Sequence, residues 1–296
     1  MAWLKLFRIA ALPSALANVL IGFLLANKSW QPTMSLVWLL LASACLYLAG
    51  MVLNDVFDVE VDRKERPSRP LPSGAISLSA ASSVGFGLLM LGIVFAGLAS
   101  MISLCFAVAI AVAVYLYDGP LKRTVIAPVI MGSCRTLNIL LGASSAGVFP
   151  AVAIWYAVAI GVFITGVTLL AKREAAKSQS ATLLIPGGAL MTAGLLGVVY
   201  TALKFANTDA VNPNVAQIRP LAIGFICLPI LRRLALAIAT ASGQAVQATV
   251  ITSLRSLIIF DASMAMLIGN GSPVHSIIIL TLLGASWLLG RATKLT

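Results

Sequence analysis

Charge is what this chain has least of: 10% of its 296 residues are Asp, Glu, Lys or Arg, against 60% hydrophobic. A soluble domain carries about 25% charged residues, so the few here could not cover a water-facing surface. An ordinary cytosolic enzyme, a disordered protein and a disulfide-rich secreted module are excluded. Histidine is reduced to a single residue, His275, which removes histidine-built metal sites and Ser-His-Asp chemistry. Cys45, Cys105, Cys134 and Cys227 sit in apolar runs without metal-type spacing and read as packing residues. The nine acidic residues face twenty Lys and Arg, a formal charge of +11. In a soluble protein that surplus would suggest nucleic acid. In a chain this apolar it encodes membrane orientation, and no nucleic-acid partner is expected.

What is present is a succession of apolar runs long enough to span a bilayer, about 17 to 25 residues each. They fall near 9–27, 34–54, 78–99, 101–117, 125–147, 150–171, 181–203, 219–239, 244–268 and 273–290. The runs at 101–117 and 273–290 are short, and 244–268 contains Arg255 and Asp261, so nine or ten spans are expected. The fold class is all-α, a polytopic transmembrane bundle forming one domain over residues 1–296. Lys5 and Arg8 before Ala15-Leu16-Ala17 have the outline of a secretory signal. Pro13 interrupts its apolar core and the hydrophobic run continues, so the segment reads as the first span.

With the N-terminus inside, fifteen Lys and Arg collect on the cytoplasmic side. Lys28, Lys204 and Arg219 lie opposite, and Arg135 and Arg255 fall within spans. That asymmetry follows the positive-inside rule and favours an even number of spans in an inner or plasma membrane.

Five of the nine acids fall between Asp55 and Glu65, in the run Asn54-Asp55-Val56-Phe57-Asp58-Val59-Glu60-Val61-Asp62. At about 100° per residue, Asn54, Asp58, Asp62 and Asp55 share roughly one quadrant of a helix, and Glu60 points away. Carboxylates at this spacing repel, so something cationic should hold them. Hard oxygen ligands without His or Cys favour Mg²⁺ bridged to a substrate phosphate. The alternative is a solvated helix end paired with Arg63, Lys64, Arg66 and Arg69, which does not require the acids to share a face. Next comes Arg66-Pro67-Ser68-Arg69-Pro70-Leu71-Pro72-Ser73-Gly74. Three prolines and a glycine make a stiff turn that would fix Arg69 beside the acidic face, the chemistry of a diphosphate site.

Asn54-Asp55-x-x-Asp58-x-x-x-Asp62 followed by Arg69-Pro70-Leu71-Pro72-Ser73-Gly74 resembles the UbiA family of intramembrane prenyltransferases. Tyr117-Asp118-Gly119-Pro120-Leu121-Lys122-Arg123 after the fourth span supports it, as do span number and motif order. The resemblance implies a helical bundle around a cavity opening sideways to lipid. There Mg²⁺ holds an isoprenyl diphosphate and the prenyl group passes to a lipophilic, often aromatic, acceptor. It implies that Asn54, Asp58 and Asp62 organise Mg²⁺ and diphosphate, with Asp55 assisting. Lys122 and Arg123 would contact the diphosphate, and Tyr117 would line the reacting end. For Lys122 and Arg123 a purely topological role is the alternative.

The family carries a second Asp-x-x-x-Asp motif after the sixth span. Here the loop reads Lys172-Arg173-Glu174-Ala175-Ala176-Lys177-Ser178, with one carboxylate. The two half-motifs would close related halves, near 9–117 and 125–239, followed by spans over 244–290. Either Glu174 still holds a second Mg²⁺, or Lys172 or Arg173 replaces that ion against the diphosphate. The Leu-Ala-Lys-Arg-Glu pattern is similar to a divergent EboC-like branch.

Within the membrane, Arg135 and Asn138 share a helix face in Gly132-Ser133-Cys134-Arg135-Thr136-Leu137-Asn138. An intramembrane Arg faces a cavity or a partner. We expect both to line the polar end of the cavity and contact the acceptor, the alternative being a structural pair with Asp118 or another buried polar group. Asn18 is a further candidate. Arg8 reads as a snorkelling residue, and Arg255 and Asp261 as structural.

Prenyl transfer therefore leads. A weakened relative that binds or helps export a lipophilic metabolite is the alternative. A secondary transporter fits less well, because the acidic face lies at a helix end rather than mid-membrane.

Overall fold

A computed structural model describes residues 2–172, 181–205, 213–266 and 273–294, and among them every regular element is helical. A short surface helix, α1 (Ala2–Leu6), leads through a 3₁₀ turn at Ile9–Ala11 into α2 (Leu12–Asn27). Then follow α3 (Thr33–Phe57), the short α4 (Val59–Glu65), α5 (Leu78–Ala99) and α6 (Met101–Asp118). The remainder comprises α7 (Ala127–Ala143), α8 (Ala151–Ala171), α9 (Ala181–Phe205), α10 (Pro213–Thr240), α11 (Gly243–Ala265) and α12 (Val274–Lys294).

Nine described helices are long and apolar enough to cross a membrane. The helix that falls short is not one of the three that looked doubtful in sequence. It is α7, with 17 helical residues extended by a 3₁₀ turn over Ser144–Ala146. Packed between α2, α6 and α8, it is the tenth long helix of the bundle. Its deficit has a physical cause: residues facing the protein interior, Arg135 among them, need not be apolar.

α2 is the hub, packing against α3, α7, α11 and α12. Its apolar residues Val19, Ile21, Phe23 and Leu24 are fully buried. Close approach to α7 depends on two glycines. A Cβ on Gly22 would lie 1.9 Å from the Ile139 carbonyl oxygen, and one on Gly142 would lie 2.2 Å from that of Val19. Membrane helices approach this closely where small residues let backbones touch. At the periphery, α5 exposes Phe86, Met90, Leu91, Val94 and Leu98. An apolar face of this extent has lipid rather than water as its natural solvent.

α3 ends where the acidic run begins. Asp58 sits between α3 and α4 at φ −89°, ψ −2°. Even so, Asp58 N–H donates to the Asn54 carbonyl at 3.1 Å and Asp62 N–H to the Asp58 carbonyl at 2.8 Å. The helical register survives the break, so the acids keep a common face.

Candidate active site

The end of the bundle where α3, α6 and α8 terminate opens into a cavity of about 510 Å³. Asn54 and Asp58 reach it from the end of α3, and Tyr117 and Asp118 from the end of α6. Five cations share this mouth: Arg8, Arg66, Arg69, Lys122 and Lys172. Deeper, the wall is formed by apolar Leu46, Met51, Ile110, Val114 and Met131, with Tyr47, Ser43, Arg135 and Asn138 as polar exceptions.

The carboxylates are held pairwise by these cations. Lys122 Nζ lies 2.5 Å from Asp58 Oδ2, and Arg69 Nη1 2.6 Å from Asp62 Oδ2. The same Arg69 nitrogen lies 3.5 Å from Asp55 Oδ1, which Arg8 Nη2 approaches to 2.6 Å. Asn54 Nδ2 donates to Asp118 Oδ1 at 2.7 Å. Glu60 points away, exposed and paired with Arg63.

Arg69 is placed by its loop. Leu71 and Ile76 insert into an apolar cluster with Leu6, Val52, Val59 and Ala81. The chain turns at Gly74, whose φ of 77° suits a residue without Cβ.

The acidic face divides in two. Asn54 and Asp58 open onto the cavity, whereas Asp62 and Asp55 are 4% and 5% exposed behind it, tied to the cations. Among the described residues no three His, Cys, Asp or Glu side chains gather into a metal cage. Mg²⁺ does not require one: it takes one or two carboxylates, keeps waters and completes its shell on substrate phosphate. The all-oxygen set at Asn54, Asp58 and Asp118 fits such an ion, since each carboxylate has a second oxygen with free lone pairs. Arg123 is exposed and lies outside the cavity lining. Arg173 and Glu174 fall outside the described residues. Lys172 does reach the mouth, where Nζ donates to the carbonyls of Lys122 at 3.3 Å and Thr124 at 2.9 Å. Partial burial pushes its ammonium pKa below the ordinary lysine value.

Asn18 is not on the cavity wall. It is fully enclosed, with Nδ2 donating to Asp261 Oδ2 at 2.8 Å and Oδ1 accepting from Arg135 Nη1 at 3.0 Å. Arg135 also donates from Nη2 to Ser14 Oγ at 3.2 Å, and Tyr156 Oη donates to Asp261 Oδ1 at 2.6 Å. Asn138 lines the cavity, accepting from Ser43 Oγ and donating to the Ala15 carbonyl. Asp118, Arg66 and Arg8 are the site residues that sequence reasoning passed over. Adjacency to Tyr117 pointed at the first and the Arg-Pro loop at the second. Nothing in the local pattern marks Arg8, whose left-handed backbone at φ 45° turns it toward Asp55.

The profile of the UbiA prenyltransferase family matches residues 15–208, more than half of the chain. The chain belongs to this family. Relatives include digeranylgeranylglyceryl phosphate synthases from Metallosphaera sedula and Methanopyrus kandleri. The first is 34% identical over 146 residues, 48% of this chain and 51% of that protein. The second is 33% identical over 157 residues, 52% and 56%. This chain spans about half the length of the curated relatives it matches. These relatives carry the glyceryl phosphate synthase name rather than an EboC-like one. Among solved structures, a digeranylgeranylglyceryl phosphate synthase superposes with TM-score 0.65 at 21% identity, covering 91% of this chain and 97% of that one. A UbiA homologue from Archaeoglobus fulgidus bound to GPP and Mg²⁺ gives 0.62 at 15%, covering 90% and 99%. At such identities the likeness establishes the shared UbiA fold, a multi-pass membrane bundle.

Proposed function

We propose that this protein transfers an isoprenyl group from an isoprenyl diphosphate to a lipophilic acceptor within the membrane. The observation that carries the reading is one cavity with five cations and an oxygen-bearing face at its mouth and an apolar wall below. Mg²⁺ held by Asn54 and Asp58, with Asp118 beside them, would supply charge neutralisation for the diphosphate.

The chain's own residues do the rest. Breaking the allylic C–O bond leaves its electron pair on the diphosphate. Lys122, Arg69 and Lys172 stand where that charge develops and stabilise it. Lys122 is preset by Asp58 and exchanges one anionic oxygen for another, which limits reorganisation. Leu46, Ile110, Val114 and Met131 exclude water that would quench the allylic cation. Tyr117 lines the same wall, where an aromatic ring can stabilise such a cation.

The family resemblance pointed to an aromatic acceptor, whereas the relatives' names describe a glyceryl phosphate product. The cationic surplus at this cavity favours an acceptor that carries its own negative charge. The motif end of the bundle and the N-terminus face the cytoplasm in this reading, in accord with the excess of Lys and Arg there.

The test uses membranes containing the protein, labelled geranyl, farnesyl and geranylgeranyl diphosphates, Mg²⁺, and either geranylgeranylglyceryl phosphate or 4-hydroxybenzoate. Saturable, Mg²⁺-dependent release of diphosphate with one acceptor is expected, and Asp58→Asn should abolish the Mg²⁺ response. Absence of both binding and turnover at every chain length overturns the proposal.

A further inference from the structure

Asp261 lies on α11, beyond the segment 15–208 that matches the family profile, yet it is fully buried against helices of that segment. Its two oxygens accept from Tyr156 on α8 and Asn18 on α2. A carboxylate can only accept, so it fixes the Asn18 amide with its NH₂ toward Asp261 and its oxygen toward Arg135. The amide is thereby clamped between a carboxylate on one side and a guanidinium on the other.

Arg135 stands on the cavity wall. Its hydrogen-bond acceptors, Asn18 Oδ1 and Ser14 Oγ, are both neutral. Asp261 acts on this guanidinium only across Asn18, and five guanidinium N–H groups exceed the two contacts, so donors remain on the cavity side for an anionic ligand. Arg135 is eight residues into α7, about 12 Å along the helix axis at ~1.5 Å per residue. Lys122 precedes that helix, so a diphosphate among Arg69, Lys122 and Lys172 sits roughly two turns above Arg135. A second anionic group, on a second substrate, fits the deep position.

We propose that Arg135 recognises an anionic headgroup, phosphate or carboxylate, on the acceptor, and that Asp261 acts through Asn18 as the positioning residue that aims it. The proposal rests on the prenyl-transfer reading for the word acceptor, and the subsite itself can be measured without turnover.

The experiment uses the purified full chain in nanodiscs. Binding and KM are measured for geranylgeranylglyceryl phosphate against geranylgeranylglycerol, and for 4-hydroxybenzoate against 4-hydroxybenzyl alcohol. Affinity for a non-hydrolysable geranylgeranyl thiolodiphosphate is followed in parallel. Arg135→Gln is expected to weaken binding of the charged member of the preferred pair about 10- to 100-fold, as for a lost charge-assisted hydrogen bond. The neutral member and the thiolodiphosphate stay within about twofold, a difference too small for a lost direct contact. Arg135→Lys should restore part of the preference. Asp261→Asn should raise KM for the same charged acceptor selectively, and Asn18→Ala, which keeps both charges, should do so too if Asp261→Asn fails to fold. An unchanged preference in folded Arg135→Gln, or equal loss of thiolodiphosphate affinity, overturns the subsite. An unchanged preference in folded Asp261→Asn or Asn18→Ala overturns the positioning role. Charge-selective binding without turnover supports the subsite and rejects prenyl transfer. Turnover without charge preference does the reverse.

Discussion

At the scale of the residue, the mouth of the cavity is a set of carboxylates already neutralised by the cations that would bind a ligand. Asp58 holds Lys122, and Arg69 spans Asp62 and Asp55. An incoming diphosphate therefore competes with protein carboxylates, and its net gain is a difference between two ion pairs. Lys122→Ala should still cost about 10- to 100-fold in diphosphate affinity, since it removes a charge-assisted contact. Equilibrium binding of a thiolodiphosphate checks it. Lys172 adds a pH dependence of defined sign. Its pKa is lowered by desolvation, so rising pH discharges it before an ordinary lysine. Diphosphate affinity should fall in the alkaline limb earlier in the wild type than in Lys172→Arg, whose guanidinium stays charged. Spacing alone grouped Asn54, Asp58, Asp62 and Asp55, because helical periodicity is local, but it did not show that only Asn54 and Asp58 open onto the cavity. Arg8 was out of reach, since its position depends on a left-handed turn and a partner 47 residues away.

At the scale of the element, α7 explains both the span count and the deep polar group. Hydropathy counts apolar residues, and a helix surrounded by protein can carry Arg135 and Asn138 at the expense of that count. What sequence alone could not show is the partner of each. Asn18 and Asp261 are 243 residues apart and meet only because α11 packs on α2. The α2–α7 seam makes a prediction of its own. Gly142→Val places carbon against the Val19 carbonyl oxygen, which no rotamer change relieves. A loss of about 1 to 3 kcal/mol or more is expected, the usual cost of overpacking. It is measured as a lowered thermal midpoint in detergent. Gly284→Ala, where a Cβ meets nothing within 4 Å, is the matched control and should leave that midpoint unchanged.

At the scale of the whole molecule, the two ends of the described chain meet at one end of the bundle, where α12 packs on the Ile9–Ala11 turn and Ser286 Oγ donates to the Ala10 carbonyl at 2.6 Å. Paired reporters at the C-terminus test the sidedness read from Lys and Arg. A fluorescent-protein fusion should fold and glow there, and an alkaline phosphatase fusion should stay inactive. The opposite pattern would reverse the assigned orientation. Fold class and span positions were legible throughout, because a bilayer imposes length and apolarity on every crossing. The order in which the helices pack was not, because lipid-facing and protein-facing apolar residues read alike in sequence.

The apolar cluster beneath the Arg-Pro loop has a practical corollary. Leu6 of α1, Val52 of α3, Val59 of α4 and Leu71 of the loop share one small core, backed by Trp3 and Phe7. The extreme N-terminal segment is thus a structural wedge under the arginine that grips Asp62. A tag or truncation that unseats Leu6 should therefore loosen the loop that presents Arg69 to Asp62.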